Sequence, residues 1–209
     1  NTEYQYAEEV LRNTTTNGTI YKDQTGKVYE QKISQLALAN LDYDYRNRHH
    51  LSYNFMMVHD NVQSVGDYDG MDSGKFNDDY DNMGFTRRQQ ANDNWLLVNQ
   101  LMTNWGLTKT LSFDAGASYN VVKGSEPDRR INNLRKAAEG YTLLEGNSQQ
   151  RYFSELNEND LNVKAGLTYR LADDQEEISN IRIGYNGRFV NDDFEATEYN
   201  MTVAHSSVF

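Results

Sequence analysis

The chain has 209 residues, 37% of them hydrophobic and 24% charged, with a net charge of −11, one Pro and no Cys. Lack of Cys excludes disulfides, zinc–thiolate sites and thiol catalysis, and the acidic balance excludes a general nucleic-acid binder, whose phosphate contacts need clustered Lys and Arg. The longest apolar runs, Phe55-Met56-Met57-Val58 and Trp95-Leu96-Leu97-Val98, have four residues, far short of the ~20 that a spanning helix needs.

Aromatics reach 12%, led by 15 Tyr and 8 Phe, which separates the chain from aromatic-poor disordered sequences. The first residues, Asn1-Thr2-Glu3-Tyr4, form neither a basic n-region nor an apolar h-region. A signal peptide is therefore read as absent or already removed, or the chain as cut from something longer.

Residues 4–12 offer a weak strand candidate. Residues 33–45 alternate, with Ala37, Ala39, Leu41, Tyr43 and Tyr45 against Leu38, Asn40, Asp42 and Asp44. Residues 49–60 follow, with Leu51, Tyr53, Phe55 and Met57 facing away from His50, Ser52 and Asn54. A period of two sends the two sets to opposite faces of a sheet. Residues 93–103 read as a strand of ambiguous facing, because Leu96, Val98 and Met102 are apolar as well as Trp95, Leu97 and Leu101.

The clearest alternation comes later. Leu111, Phe113, Ala115, Ala117, Tyr119 and Val121 oppose Ser112, Asp114, Gly116, Ser118 and Asn120 within residues 110–122. Residues 160–171 and 179–190 repeat the pattern, and residues 194–203 carry a weaker form of it. A helix would scatter these apolar positions around its axis. The exception is Ile131, Leu134, Ala137 and Ala138, whose spacing predicts a short helix within residues 131–144.

Short connections at 46–48, 104–109 and 172–177 alternate with long polar stretches at 61–86 and 123–154, read here as outer loops. This order is the one expected of an outer-membrane barrel, with tight periplasmic turns and large outer loops. Tyr43, Tyr45, Tyr53 and Trp105 cluster by the short turns, where amphipathic rings suit a membrane interface. The opposite face mixes Gly and Ser with Arg, Lys, Asn and Asp, which suits a wet, crowded lumen. The predicted fold is all-β: an antiparallel up-and-down transmembrane β-barrel. Its six clear strands leave open edges that lipid does not tolerate. Strands from residues 4–12 and 194–203 could close a small barrel, whereas long loops favour a fragment of a larger one. A soluble β-sandwich or β-barrel is the competing fold, disfavoured by a single Pro127 where soluble turns use many.

Several segments resemble a known family. The run Arg87-Arg88-Gln89-Gln90-Ala91-Asn92-Asp93-Asn94, the strand from Trp95 to Leu101, and residues 111–122 leading into Gly124-Ser125-Glu126-Pro127-Asp128-Arg129-Arg130 look like the barrel of Bacteroidetes TonB-dependent receptors. Gly66-Asp67-Tyr68-Asp69-Gly70-Met71, inside residues 51–71, is similar to the same barrels. The resemblance spans residues 33–190. It implies an outer-membrane barrel of about 22 strands, closed by an N-terminal plug and driven by TonB–ExbB–ExbD. The implied function is uptake of a nutrient such as a glycan, peptide or metal chelate, with outer-membrane lipid around the barrel and a surface lipoprotein as a further partner. No TonB box or plug domain is read in these residues, so the chain is expected to be part of a receptor barrel.

Candidate ligand-binding residues are the outer-loop groups Asp67, Tyr68, Asp69, Arg129 and Arg130. The acidic run Asp67, Asp69, Asp72, Asp78, Asp79 and Asp81 has oxygen ligands at i, i+2 and i+5 and a Gly70 turn that could hold Ca²⁺. A solvated acidic loop is the plainer reading, and no other metal or cofactor is read. Asp128 beside Arg129 and Arg130 invites a local ion pair or an anion contact, and an ion pair that anchors its loop is the plainer reading. His49 and His50 lie on opposite faces of a strand and so cannot share a metal. No enzyme is read: His59, His205, Ser206 and Ser207 show no convergent spacing, and no phosphate-cradling Gly motif occurs. The readings from other classes are a small closed barrel with a structural or adhesive role and a soluble carbohydrate-binding β-domain.

Overall fold

The computed structural model describes residues 1–46, 48–76, 81–144, 146–174 and 177–203. The chain is all β, with 89% in strands and no helix among the described residues. Eight strands follow in order: β1 (Thr2–Thr14), β2 (Ile20–Tyr45), β3 (His49–Asp72), β4 (Met83–Gly106), β5 (Leu111–Ala137), β6 (Gly140–Leu143), β7 (Gly146–Asp174) and β8 (Glu177–Val203). They form one antiparallel up-and-down sheet in the order β1-β2-β3-β4-β5-β7-β8, with β6 as a short flap on the end of β5. The sheet is open, with β1 and β8 at its edges.

The strands are far longer than their alternating segments suggested. Residues 61–72 continue β3 and residues 83–86 begin β4, so the expected loop over 61–86 shrinks to a tip. The stretch 123–154 is likewise mostly β5, β6 and the start of β7, and residues 194–203 continue β8. The expected helix over 131–144 does not form. Ile131 instead pairs with Arg88 and Gln150, and Leu134 with Phe85 and Leu143. A helix satisfies its backbone locally, but here a ready partner on each side offers the same bonds to polar extended chain.

Pro127 does not open a loop either. It sits within β5 at a bulge, where the register with both β4 and β7 slips by one residue. A residue without an N–H cannot hold a ladder position, so bulges are where sheets accept it. Beyond the bulge, where β7 leaves β5, Gln149 replaces the missing strand. Its side-chain amide accepts from the Asn133 N–H at 3.1 Å and donates to the Asn133 carbonyl at 2.6 Å.

Residues paired across a ladder share a face, so the register sorts every side chain. One face carries Tyr45, His49, Trp105, Phe113, Leu167 and Ile183 in one row, and Leu41, Tyr53, Leu101, Ala117 and Val163 two rows on. Nothing covers it: Ile183 is 75% exposed and Leu41 68%. Phe76 is the one buried hydrophobic side chain among the described residues. It lies in the tip between β3 and β4 against Gly84, whose missing Cβ leaves room for the ring. The accessible surface of 14332 Å² compares with roughly 10,000 Å² for a compact monomer of this mass. This is a single layer without a conventional core.

Candidate functional site

The face opposite the apolar band is polar and more covered. Ser52, Thr86, Asn133 and Asp160 all point to it and are buried. Its ladder rows are hydrogen-bonded side chain to side chain. Asn40 donates to Asn54, and Asn54 to Gln100 at 3.3 Å. His50 Nδ1 meets Asp44 at 2.8 Å and its Nε2 lies 3.5 Å from Asp42. Arg182 bonds Asp114 at 2.7 Å, and Arg188 pairs with Asp160 at 3.1 Å.

Glycines on this face make room for charge. A Cβ at Gly166 would stand 2.9 Å from the Asp114 carboxylate, and one at Gly116 would stand 2.7 Å from the Lys164 stem. Long charged side chains can therefore lie across the sheet. One apolar island interrupts the polar lining: Leu36, Val58, Leu96 and Val122 share a row, next to Leu38, Met56 and Val98. This island is why the facing of residues 93–103 was ambiguous.

The band on the other face has defined edges. Trp105 lies at the short-turn end, its ring 4.6 Å from His49, which stacks in turn on Tyr45. Trp95 lies ten residues up the same strand, stacked on His59 with centroids 3.8 Å apart. His59 Nε2 reaches Asp93 at 2.6 Å and its Nδ1 reaches Gln35 at 3.1 Å. Each band edge therefore pairs an aromatic ring with polar groups.

The five expected ligand-binding residues stand on strands, beyond the band. Asp67 and Asp69 share the face of the band, while Tyr68 points the other way. Asp67 is held by Arg87, with Nε and Nη2 donating at 2.7 Å to its two oxygens. Tyr141 donates to Asp69 at 3.2 Å. Tyr68 lies over Gly26 and Gly66, where a Cβ would come within 2.6 Å and 2.8 Å of its ring, and its hydroxyl meets Glu9 at 3.4 Å. Arg129 and Arg130 also point to opposite faces. Arg129 pairs with Glu126 at 3.5 Å and lies over the Tyr152 ring, while Arg130 donates to Asp128 at 2.7 Å. The five do not converge on one point.

Asp128 makes an ion pair with Arg130 as the sequence suggested, but on strand β5 instead of in a loop and with an additional partner. Arg151, across on β7, donates to it from Nε at 2.8 Å and Nη2 at 3.0 Å. The hydrogen bonds from Arg151 and then Arg130 hold the Asp128 carboxyl well below the usual carboxylate range. Arg151 gave no signal in the sequence, since only the ladder places it there.

The Ca²⁺ reading finds no cluster among the described residues: Asp72 faces away from Asp67 and Asp69 and lies 3.5 Å from Lys22. Asp78 and Asp79 lie outside the described residues, as do His205, Ser206, Ser207 and Phe209. His49 and His50 do point to opposite faces. Compared with known proteins, the chain matches no protein-family model and no curated protein.

Proposed function

We propose that this chain is part of the wall of an outer-membrane β-barrel, in a TonB-dependent receptor that takes up a nutrient. One observation carries the membrane reading: an uncovered apolar band bounded by rings at both edges. Trp95 and Trp105 are ten residues apart on one strand, about 34 Å along it at the usual rise. At a strand tilt of ~40° that gives a height of about 25 Å, the thickness of the lipid-facing band of such barrels. A soluble β-domain would need a second layer over these side chains. The hydrogen-bonded polar face, with Lys164, Arg182 and Arg188 among carboxylates and amides, suits a water-filled interior through which a polar nutrient passes. The TonB-dependent part of the reading rests on the resemblance of the segments within residues 33–190.

The chain has no Cys, so single cysteines can carry spin labels without background. Labels at Leu167→Cys and Tyr185→Cys are expected to be relaxed by oxygen dissolved in lipid, and labels at Thr168→Cys and Asn186→Cys by a water-soluble nickel chelate. Nickel reaching both sets equally, or neither reagent reaching the first set, would overturn the membrane reading. Nutrient uptake that persists after deletion of the TonB complex would overturn the transport reading.

A further inference from the structure

A cleft of about 690 Å³ is on neither the polar face nor the band. It lies on the face of the band but farther along the strands, away from the short turns. Tyr4, Tyr6 and Tyr29 form one wall, on β1 and β2. Small or flat residues of β3 and β4, Val65 and Ala91 among them, form the floor. Arg130 and Asp128 form the opposite wall, just past the Pro127 bulge, a device that re-aims side chains. Gln63 and Gln89 sit along the floor.

The chemistry of this cleft is specific. Tyr4 is 74% exposed, and Tyr6 and Tyr29 are about half exposed, with their rings 5.0 Å apart and tilted by 40°. Exposed aromatic faces beside side-chain amides bind surfaces that are apolar on one side and hydroxylated at the rim. Arg130 and Arg151 are both engaged by Asp128, and Glu8 accepts from Tyr6 at 2.6 Å. A sugar ring would find stacking faces on the three Tyr and both donors and acceptors beside them.

Position selects the source. Gln63 and Val65 are four and six residues beyond the His59–Trp95 edge, or about 13–20 Å along the strand. We propose that this cleft binds the sugar rings of the membrane's outer-leaflet glycolipid, fixing the barrel wall in its lipid surroundings. The proposal rests on the membrane reading above and adds a ligand class to it. The three Tyr act as stacking platforms, the two Gln bond ring hydroxyls, and the bulged end of β5 closes the cleft.

The test uses the protein isolated from membranes in detergent and stripped of lipid. Three probes are compared: lipopolysaccharide with its core sugars, lipid A without them, and the free core oligosaccharide. Whole lipopolysaccharide is expected to bind about tenfold more tightly than either part. The double variant Tyr4→Ala/Tyr29→Ala is expected to lower its affinity to the lipid A level, a loss typical of aromatic anchors. Tyr43→Ala, at the other end of β2, is expected to leave binding unchanged. Circular dichroism checks that both variants keep their sheet. Lipid A binding as tightly as the whole molecule, or the double variant binding like wild type, overturns the proposal. Free core oligosaccharide binding as tightly as the whole overturns the membrane source, as does a cleft that takes only a protein. The spin-label alternation at Leu167 and Thr168 is independent of this cleft, so failure of the glycolipid site and failure of the membrane reading are distinguishable.

Discussion

Asp128 shows how much a single carboxylate can tie together on a sheet without a core. It holds Arg130 on its own strand and Arg151 on the next, across the bulge where the ladder slips. Because its folded pKa is depressed, its contribution is complete above the ordinary Asp value of about 4 and is lost only as pH falls through the lower folded value. Amide exchange around residues 125–131 is therefore expected to show no Asp128-linked change between pH 7 and pH 5. Asp128→Asn at pH 7 is expected to speed it about tenfold, as local opening becomes easier. Tyr6 runs the other way. Its hydrogen bond to Glu8, first among the causes, pushes its pKa up to about 12. The bond is present below the unfolded value of about 10 and is lost as pH rises through the folded one. A spectrophotometric phenol titration is expected to lose its latest-ionising group in Tyr6→Phe. Gly70 adopts φ 141°, and a Cβ there would meet the Asp23 carbonyl oxygen at 2.3 Å. Gly70→Ala is expected to cost about 2 kcal/mol in unfolding measurements, the scale of backbone strain at such positions.

At the scale of the strand, alternation decides what a substitution does. Ala117 lies near the middle of the band on β5, between Leu101 and Val163, and Ser118 points to the opposite face between Gln100 and Asn162. A lipid-facing Lys at mid-membrane costs about 2–4 kcal/mol, while a lumen-facing one is tolerated. On the proposed membrane reading, Ala117→Lys is expected to lower stability in a lipid-refolding titration by that amount, and Ser118→Lys to change it little. Lys164 already stands on the polar face, with Gly116 giving it room. Equal costs at both positions would contradict the assignment of faces. The strand extensions beyond the band follow another logic. Asp67–Arg87 ties β3 to β4, Asp69–Tyr141 reaches from β3 to β6, and Tyr68 lies over Gly26 of β2 and Gly66 of its own strand, all beyond the apolar band.

For the whole molecule, the edges matter most. β1 pairs with β2 only from Thr2 to Thr14, and the Ser34 N–H meets the Asn1 carbonyl at 2.9 Å. The part of β2 that carries the band, residues 35–45, has β3 as its one strand neighbour among the described residues. Backbone groups in lipid must all be satisfied, so a membrane barrel has to close these edges with further strands. In the 209-residue chain alone, backbone amides of residues 35–45 that point away from β3 are expected to exchange fast. In the barrel proposed above, closed by further strands, they are expected to be protected.

The residues themselves determined the strand class and the two faces of the sheet. Alternation in residues 33–45, 110–122, 160–171 and 179–190 depends only on the period of an extended chain, so it survives any tertiary arrangement. The band stood out because apolar side chains recur there at every second position. The polar extensions at 61–72 and 123–137 were illegible for the same reason: with charged and amide groups on both faces, they carry no period and read as loops. What makes them strands is a neighbour that offers hydrogen bonds across the ladder, which no local pattern records. The partners of the candidate residues were equally hidden, because Asp67 meets Arg87, and Asp128 meets Arg151, only through register. The cleft of Tyr4, Tyr6 and Tyr29 against Arg130 needed five strands side by side and one bulge to raise its far wall. Local spacing set which way each side chain points, and only the order and register of the strands decided what it points toward.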